Sequence, residues 1–179
     1  MSLYECFEQV EDPRKLSGLR NPLPALLSMV VMSYLSGYTG YRATAVFMKG
    51  NREAFMDMFD LKHRPLGHTQ LRTIFQRLDF DSINQAFFRW INSFVTIEKG
   101  EWLSGDGKAL ASTVKNTFNS AQDFELMVRL FSQKLGLVLQ SRTTTNKSGE
   151  QKALQDLLKA LEQKGVIITL DALHCQKKH

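Results

Sequence analysis

The sequence predicts an α+β protein: an N-terminal helical bundle over residues 1–97, followed by an α/β core over residues 98–179. Two observations carry this. Up to about residue 98 the apolar residues recur at helical spacing; beyond it their period falls to two. The second part then runs strand, hairpin, helix, strand. That order gives three antiparallel strands, a helical crossover and a last strand parallel to an earlier one, joined right-handedly.

In the first part Leu23, Leu26, Leu27, Val30, Val31 and Tyr34 mark a helix, with Pro22 near its start and Gly37 near its end. Further helices are expected over Tyr41–Lys49 and Arg52–Phe59. Leu71, Ile74, Phe75 and Leu78 line a short helix after His68, and Asp81 reads as the N-cap of the next. Ile83, Phe87, Trp90, Ile91 and Phe94 give that last helix a wide apolar stripe. Short helices with short joints make a compact bundle. Met48, Met56 and Met58, with Phe47, Phe55 and Phe59, read as its core.

In the second part Glu101–Gly105 reads as a strand ending at Asp106. Phe124, Leu126, Val128 and Leu130 alternate with Glu125 and Arg129, Gln133–Gly136 turns, and Leu137–Arg142 returns as a hairpin. Ser148 and Gln151 form a capping box before a helix lined by Leu154, Leu157, Leu158 and Leu161, which Gly165 stops. Val166–Thr169 is a continuous apolar run, as expected of a strand buried on both faces, and ends at Asp171.

Composition narrows the class. A 43% hydrophobic content suits a soluble globular protein with a real core. Cys6 and Cys175 form neither a disulfide framework nor a CxxC pair, which points to a reducing compartment. The longest apolar run, Pro22–Tyr38, is interrupted by serines and glycine and is shorter than the roughly 20 residues of a bilayer span. The opening MSLYECFEQVEDPRK carries acids where an export signal carries basic residues, so a cytoplasmic protein without membrane attachment is expected. The net charge of +5 permits a nucleic-acid partner, but the charge is spread over both halves with no long basic block.

The stretch LSGDGKAL, residues 103–110, holds Asp106 between two glycines. Glycine leaves the backbone uncrowded for a close approach, although a turn accounts for it equally well. If the strand ending at Asp171 neighbours the one ending at Asp106, two carboxylates stand side by side at adjacent strand ends. Such a pair suits magnesium, which takes oxygen ligands together with phosphate oxygens. Two metals about 3.5–4 Å apart can activate an attacking oxygen and stabilise a leaving one. Lys108 could meet a phosphate. His68, Arg72 and Arg77 lie on or near a short helix in a stretch, Arg52–Leu78, that could form a helix-turn-helix reaching DNA phosphates; a solvated helix face is the plain alternative. His174, Cys175 and His179 match no common zinc spacing.

GDGKAL (105–110), LVLQSRTTTNKSGE (137–150) and VIITLDALHCQKK (166–178) resemble the DDE transposases of bacterial insertion sequences, in the branch that includes the H-repeat-associated proteins. DPRKLSGLRNPLPALLSMVVMSYLSGYTGY (12–41) and LGHTQLRTIFQRLDFDSINQAFFRWI (66–91) resemble that branch's N-terminal helical domain. The resemblance implies a partial ribonuclease H-like core whose catalytic, metal-binding aspartates are Asp106 and Asp171. It implies Mg2+ or Mn2+ as cofactor and insertion-sequence DNA ends as partner. A second copy or a full-length transposase is the protein partner to expect. The family's third carboxylate, a Glu on a later helix, has no counterpart in the 179 − 171 = 8 residues after Asp171. DGKALAST also departs from the usual DGKTLRGS-like motif. The expectation is therefore a C-terminally truncated copy with little activity of its own, and an open sheet edge beside Asp171. Two rivals stand beside it: an inactive DNA-binding remnant competing with the full enzyme, and an unrelated magnesium-dependent nuclease.

Overall fold

The computed structural model describes residues 1–15, 19–109, 126–144, 147–160 and 165–170. It divides into two units, Met1–Trp90 and Ile91–His179.

The first unit is helical: α1 (Leu3–Phe7), α2 (Leu23–Leu35), α3 (Tyr41–Gly50), α4 (Arg52–Met58), α5 (His68–Phe75) and α6 (Phe80–Asn92), whose last two residues pass into the second unit. The sequence pattern gives no hint of α1. It is short, but a reciprocal cap starts it: Ser2 Oγ accepts from the Glu5 amide at 3.2 Å and Glu5 Oε2 accepts from the Ser2 amide at 2.8 Å. The helix buries Cys6 and Phe7 beside the core residues of α2.

Helix α2 supplies more of the core than any other helix, through Leu23, Ala25, Leu26, Leu27 and Met29, joined by Met48, Phe55, Leu71 and Ile74 from the later helices. Gly37, at φ +83°, lets the chain turn out of α2. The buried Ser33 fastens that turn: its hydroxyl donates to the Tyr38 carbonyl at 2.8 Å and lies 3.2 Å from Thr44 Oγ1 on α3. Two expectations are corrected. Asp81 lies inside the first turn of α6; the side chain that accepts from the Asp81 and Ser82 amides, at 3.1 and 3.3 Å, belongs to Asp79. Met58, the last residue of α4, is 58% exposed and lies outside the buried core.

The second unit is a four-stranded sheet with one described helix: β1 (Trp102–Ala109), β2 (Leu126–Ser132), β3 (Leu137–Thr144), α7 (Lys147–Ala160) and β4 (Ile167–Leu170). The strand order is β3-β2-β1-β4; β1 pairs antiparallel with β2 and parallel with β4. Mixed helix and sheet, with the hairpin and the parallel return, agree with the α+β expectation. Because side chains alternate along a strand, one face takes Leu103, Gly105, Leu126, Val128 and Leu130, and Ala153, Leu154 and Leu157 of α7 cover part of it.

Three details differ from expectation. Strand β1 does not stop at Asp106 but pairs with β2 through Ala109, since glycine is tolerated in a strand where a helix packs closely. Strand β4 is not buried on both faces: Ile167 and Ile168 are 42% and 38% exposed, because β4 lies at the edge of the described sheet with β1 as its one neighbour there. Helix α7 already begins at Lys147, so Ser148 lies within it. Residues 124, 125 and 161–164 of the expected elements lie outside the described residues.

Candidate active-site face of the sheet

The alternation that turns Leu103 and Gly105 toward α7 turns Ser104, Asp106 and Lys108 to the opposite face. Asp106 sits mid-strand in register with Arg129 of β2, and its side chain is exposed. It forms no ion pair with a described residue; the Arg129 Nε instead donates to Met127 Sδ at 3.3 Å. Lys108 is exposed on the same face, two residues further along β1.

The glycine before Asp106 serves packing, which corrects the reading of it as room for a ligand. A Cβ on Gly105 would stand 2.7 Å from Leu170 Cδ2 and 2.8 Å from Leu154 Cδ1. What approaches Gly105 closely is therefore the leucine packing of α7 and β4.

On the Asp106 face the strands are linked by polar side chains that sequence pattern alone does not single out. Ser104 Oγ and Thr169 Oγ1 lie 3.0 Å apart across β1 and β4, Gln133 Nε2 donates to Ser104 Oγ at 2.8 Å, and Thr169 Oγ1 donates to the Leu103 carbonyl at 3.2 Å. The parallel register sets Ser104 beside Thr169 and Gly105 beside Leu170. The next residue on β1 is Asp106. The next residue in the chain after Leu170 is Asp171, which lies outside the described residues, as do His174, Cys175 and His179. The donors described on this face are carboxylate and hydroxyl oxygens, the kind that suits a hard divalent cation; among the described residues no group of three His, Cys, Asp or Glu converges on a metal position.

In the helical unit His68 opens α5, Arg72 follows one turn later, and Arg77 lies just beyond the helix; all are exposed. Among the described residues no helix is long and apolar enough to cross a membrane.

Comparison with known proteins finds similarity both to one family model and to several whole proteins. Residues 4–91 match the family described as DDE_Tnp_1-associated. Over 98% of its length the chain is 27% identical to two Escherichia coli proteins named "Putative transposase YncI", covering 45% of one and 70% of the other. It is 23% identical, again over 98% of its length, to the Escherichia coli "H repeat-associated putative transposase YhhI", of which it covers 46%. A Xanthobacter autotrophicus protein, "Uncharacterized protein in dhlA 3'region", is 25% identical over 96% of this chain and 58% of its own. Residues 4–91 thus carry the DDE_Tnp_1-associated domain, and the chain as a whole is similar to putative transposases, H repeat-associated ones among them. It spans about half the length of most of these relatives.

Proposed function

We propose that the chain acts on DNA as part of a DDE-type, metal-dependent strand-cleaving and strand-transferring enzyme of an insertion sequence, with a ribonuclease H-like core. Asp106 and Asp171 are the metal-binding carboxylates. The observation that carries this reading is the parallel register of β1 and β4. With Gly105 opposite Leu170, the described register ends one residue short of Asp106 on β1 and, in the chain, one residue short of Asp171. Neighbouring strands lie about 4.8 Å apart, close enough for two carboxylates to share one cation. Alternation turns Asp106 toward the face that carries Ser104 and Thr169.

Mg2+ or Mn2+ held there would supply the Lewis acidity that phosphoryl transfer needs. The protein's own part is to hold the two carboxylates in fixed register. The Ser104–Thr169 hydroxyl pair pins β4 to β1 shortly before them. Lys108, on the same face, is placed to meet a phosphate.

Titration of the chain with Mn2+, followed by calorimetry, tests this. Wild type should bind, and Asp106→Asn and Asp171→Asn should each weaken binding by about tenfold or more, the range seen when metal-site partners are lost. Equal affinity in all three proteins would overturn the site. The rival reading, a DNA-binding protein that competes with a full-length transposase at the same ends, predicts end binding with no metal-dependent cleavage.

A further inference from the structure

We propose that a groove on the helical unit, separate from Asp106, holds the phosphate backbone of duplex DNA. The choice of DNA as occupant rests on the DNA-acting reading above; the groove itself does not. It has a volume of ≈650 Å3; its cationic lining comes from Arg42, Lys49, Arg52 and Arg64, with His68 beside them. No aspartate or glutamate is among its lining residues.

The fold assembles these charges from three separated stretches. Arg42, Val46 and Lys49 fall at i, i+4 and i+7 on α3, on the exposed stripe opposite the buried Thr44 and Met48. Arg52 opens α4, and Arg64 and His68 come from the segment that leads into α5. None of the four Lys and Arg side chains is paired with a carboxylate among the described residues. A concave surface lined by one sign of charge concentrates its field and draws counter-ions. Guanidinium groups hold phosphate oxygens through paired N–H donors, which makes arginine the suited residue here.

The Arg64 backbone is held in place from within. Asn21, fully buried, donates from Nδ2 to the Arg64 carbonyl at 3.1 Å. The Asn21 carbonyl in turn accepts from Arg14 Nη2 at 2.9 Å, and Arg14 is paired with Asp12 at 2.6 Å. A buried polar chain thus ends on the residue that presents one of the groove's cations.

Fluorescence anisotropy of the full chain with a short labelled duplex, over roughly 50–200 mM salt, tests the proposal. Arg42→Gln/Arg64→Gln should bind at least about tenfold more weakly. Its slope of log K against log salt should fall by about 2, near 0.9 for each phosphate that is no longer neutralised. Arg72→Gln/Arg77→Gln removes the same charge outside the groove and should weaken binding less, and the unfolding midpoint of both variants should match wild type. Unchanged binding by the groove variant, or an equal loss in both, would overturn the groove while leaving DNA as partner. Absence of duplex binding by wild type, or binding of poly-glutamate in its place, would overturn the groove and the DNA reading together. Failure of the metal site is read separately, in the Mn2+ titration, which uses no groove variant.

Discussion

The Ser132 hydroxyl donates to the Glu101 carboxylate inside the second unit, tying the end of β2 to the residue that leads into β1. The other Glu101 oxygen accepts from the Glu98 amide at 3.1 Å, and the Glu101 carbonyl accepts from the Ile167 amide at 2.9 Å at the start of β4. One residue therefore joins three strands of the sheet. Ser132 is fully buried, so Ser132→Ala leaves a carboxylate oxygen without its donor and should cost about 1–3 kcal/mol, read by urea unfolding.

The same contact sets a pH response. The Ser132 hydrogen bond holds the Glu101 carboxyl below its ordinary value of 4.5; burial opposes this, while the Glu98 amide and the Lys134 charge assist. A folded pKa below the unfolded one gives stability that is present above about pH 4.5 and lost as pH falls through the folded value. The unfolding midpoint of wild type should thus drop in acid, and Glu101→Gln should flatten that drop. Parallel acid profiles for the two proteins would refute the assignment.

Gly105 admits no larger residue without movement. Gly105→Ala presses a methyl against Leu170 and Leu154, whose flexible ends can shift, and should cost about 1–3 kcal/mol; Gly105→Val should cost more. Loss of the β1–β4 pairing, seen as faster amide exchange at Ile167 and Thr169, is the expected sign.

Asn21 makes a prediction in the other unit. Asn21→Ala removes the donor to the Arg64 carbonyl and should cost about 1–3 kcal/mol. By loosening the Arg64 segment it should also weaken duplex binding without changing the charge.

Burial separates two leucines of α2. Leu26 is 1% exposed and Leu35 is 79% exposed. Leu26→Ala should cost about 2–5 kcal/mol through the cavity it leaves. Leu35→Ala should stay within about 0.5 kcal/mol, as surface substitutions do. Similar denaturation midpoints for the two variants would contradict the central place of Leu26 in the helical core.

Much of this was legible in the residues. Helical periodicity locates α2 to α5 because their apolar stripes face one core, and the hairpin and crossover rule predict that β4 returns parallel to an earlier strand, which the structure shows to be β1. The misses have local causes. The glycines around Asp106 look like a strand stop, whereas Gly105 answers a contact with Leu154 that only tertiary structure reveals. The run Val166–Thr169 looks doubly buried, but exposure depends on strand order, which composition does not encode. Asp79 and Asp81 are both good caps, and only the backbone chooses between them. The basic groove escapes notice because Arg42, Arg52, Arg64 and His68 are dispersed along the chain and form no block.

The strand order also sets a timetable. Strands β1, β2 and β3 are consecutive antiparallel partners, so they can pair as soon as residue 144 has been made. Strand β4 closes a loop of roughly sixty residues against β1, a slower step because distant contacts cost more chain entropy to bring together. During synthesis the edge of β1 that carries Asp106 therefore stands open until the chain has passed Leu170. A nascent chain halted before that point would present a bare strand edge, and pairing with a second nascent chain would compete with completing its own sheet.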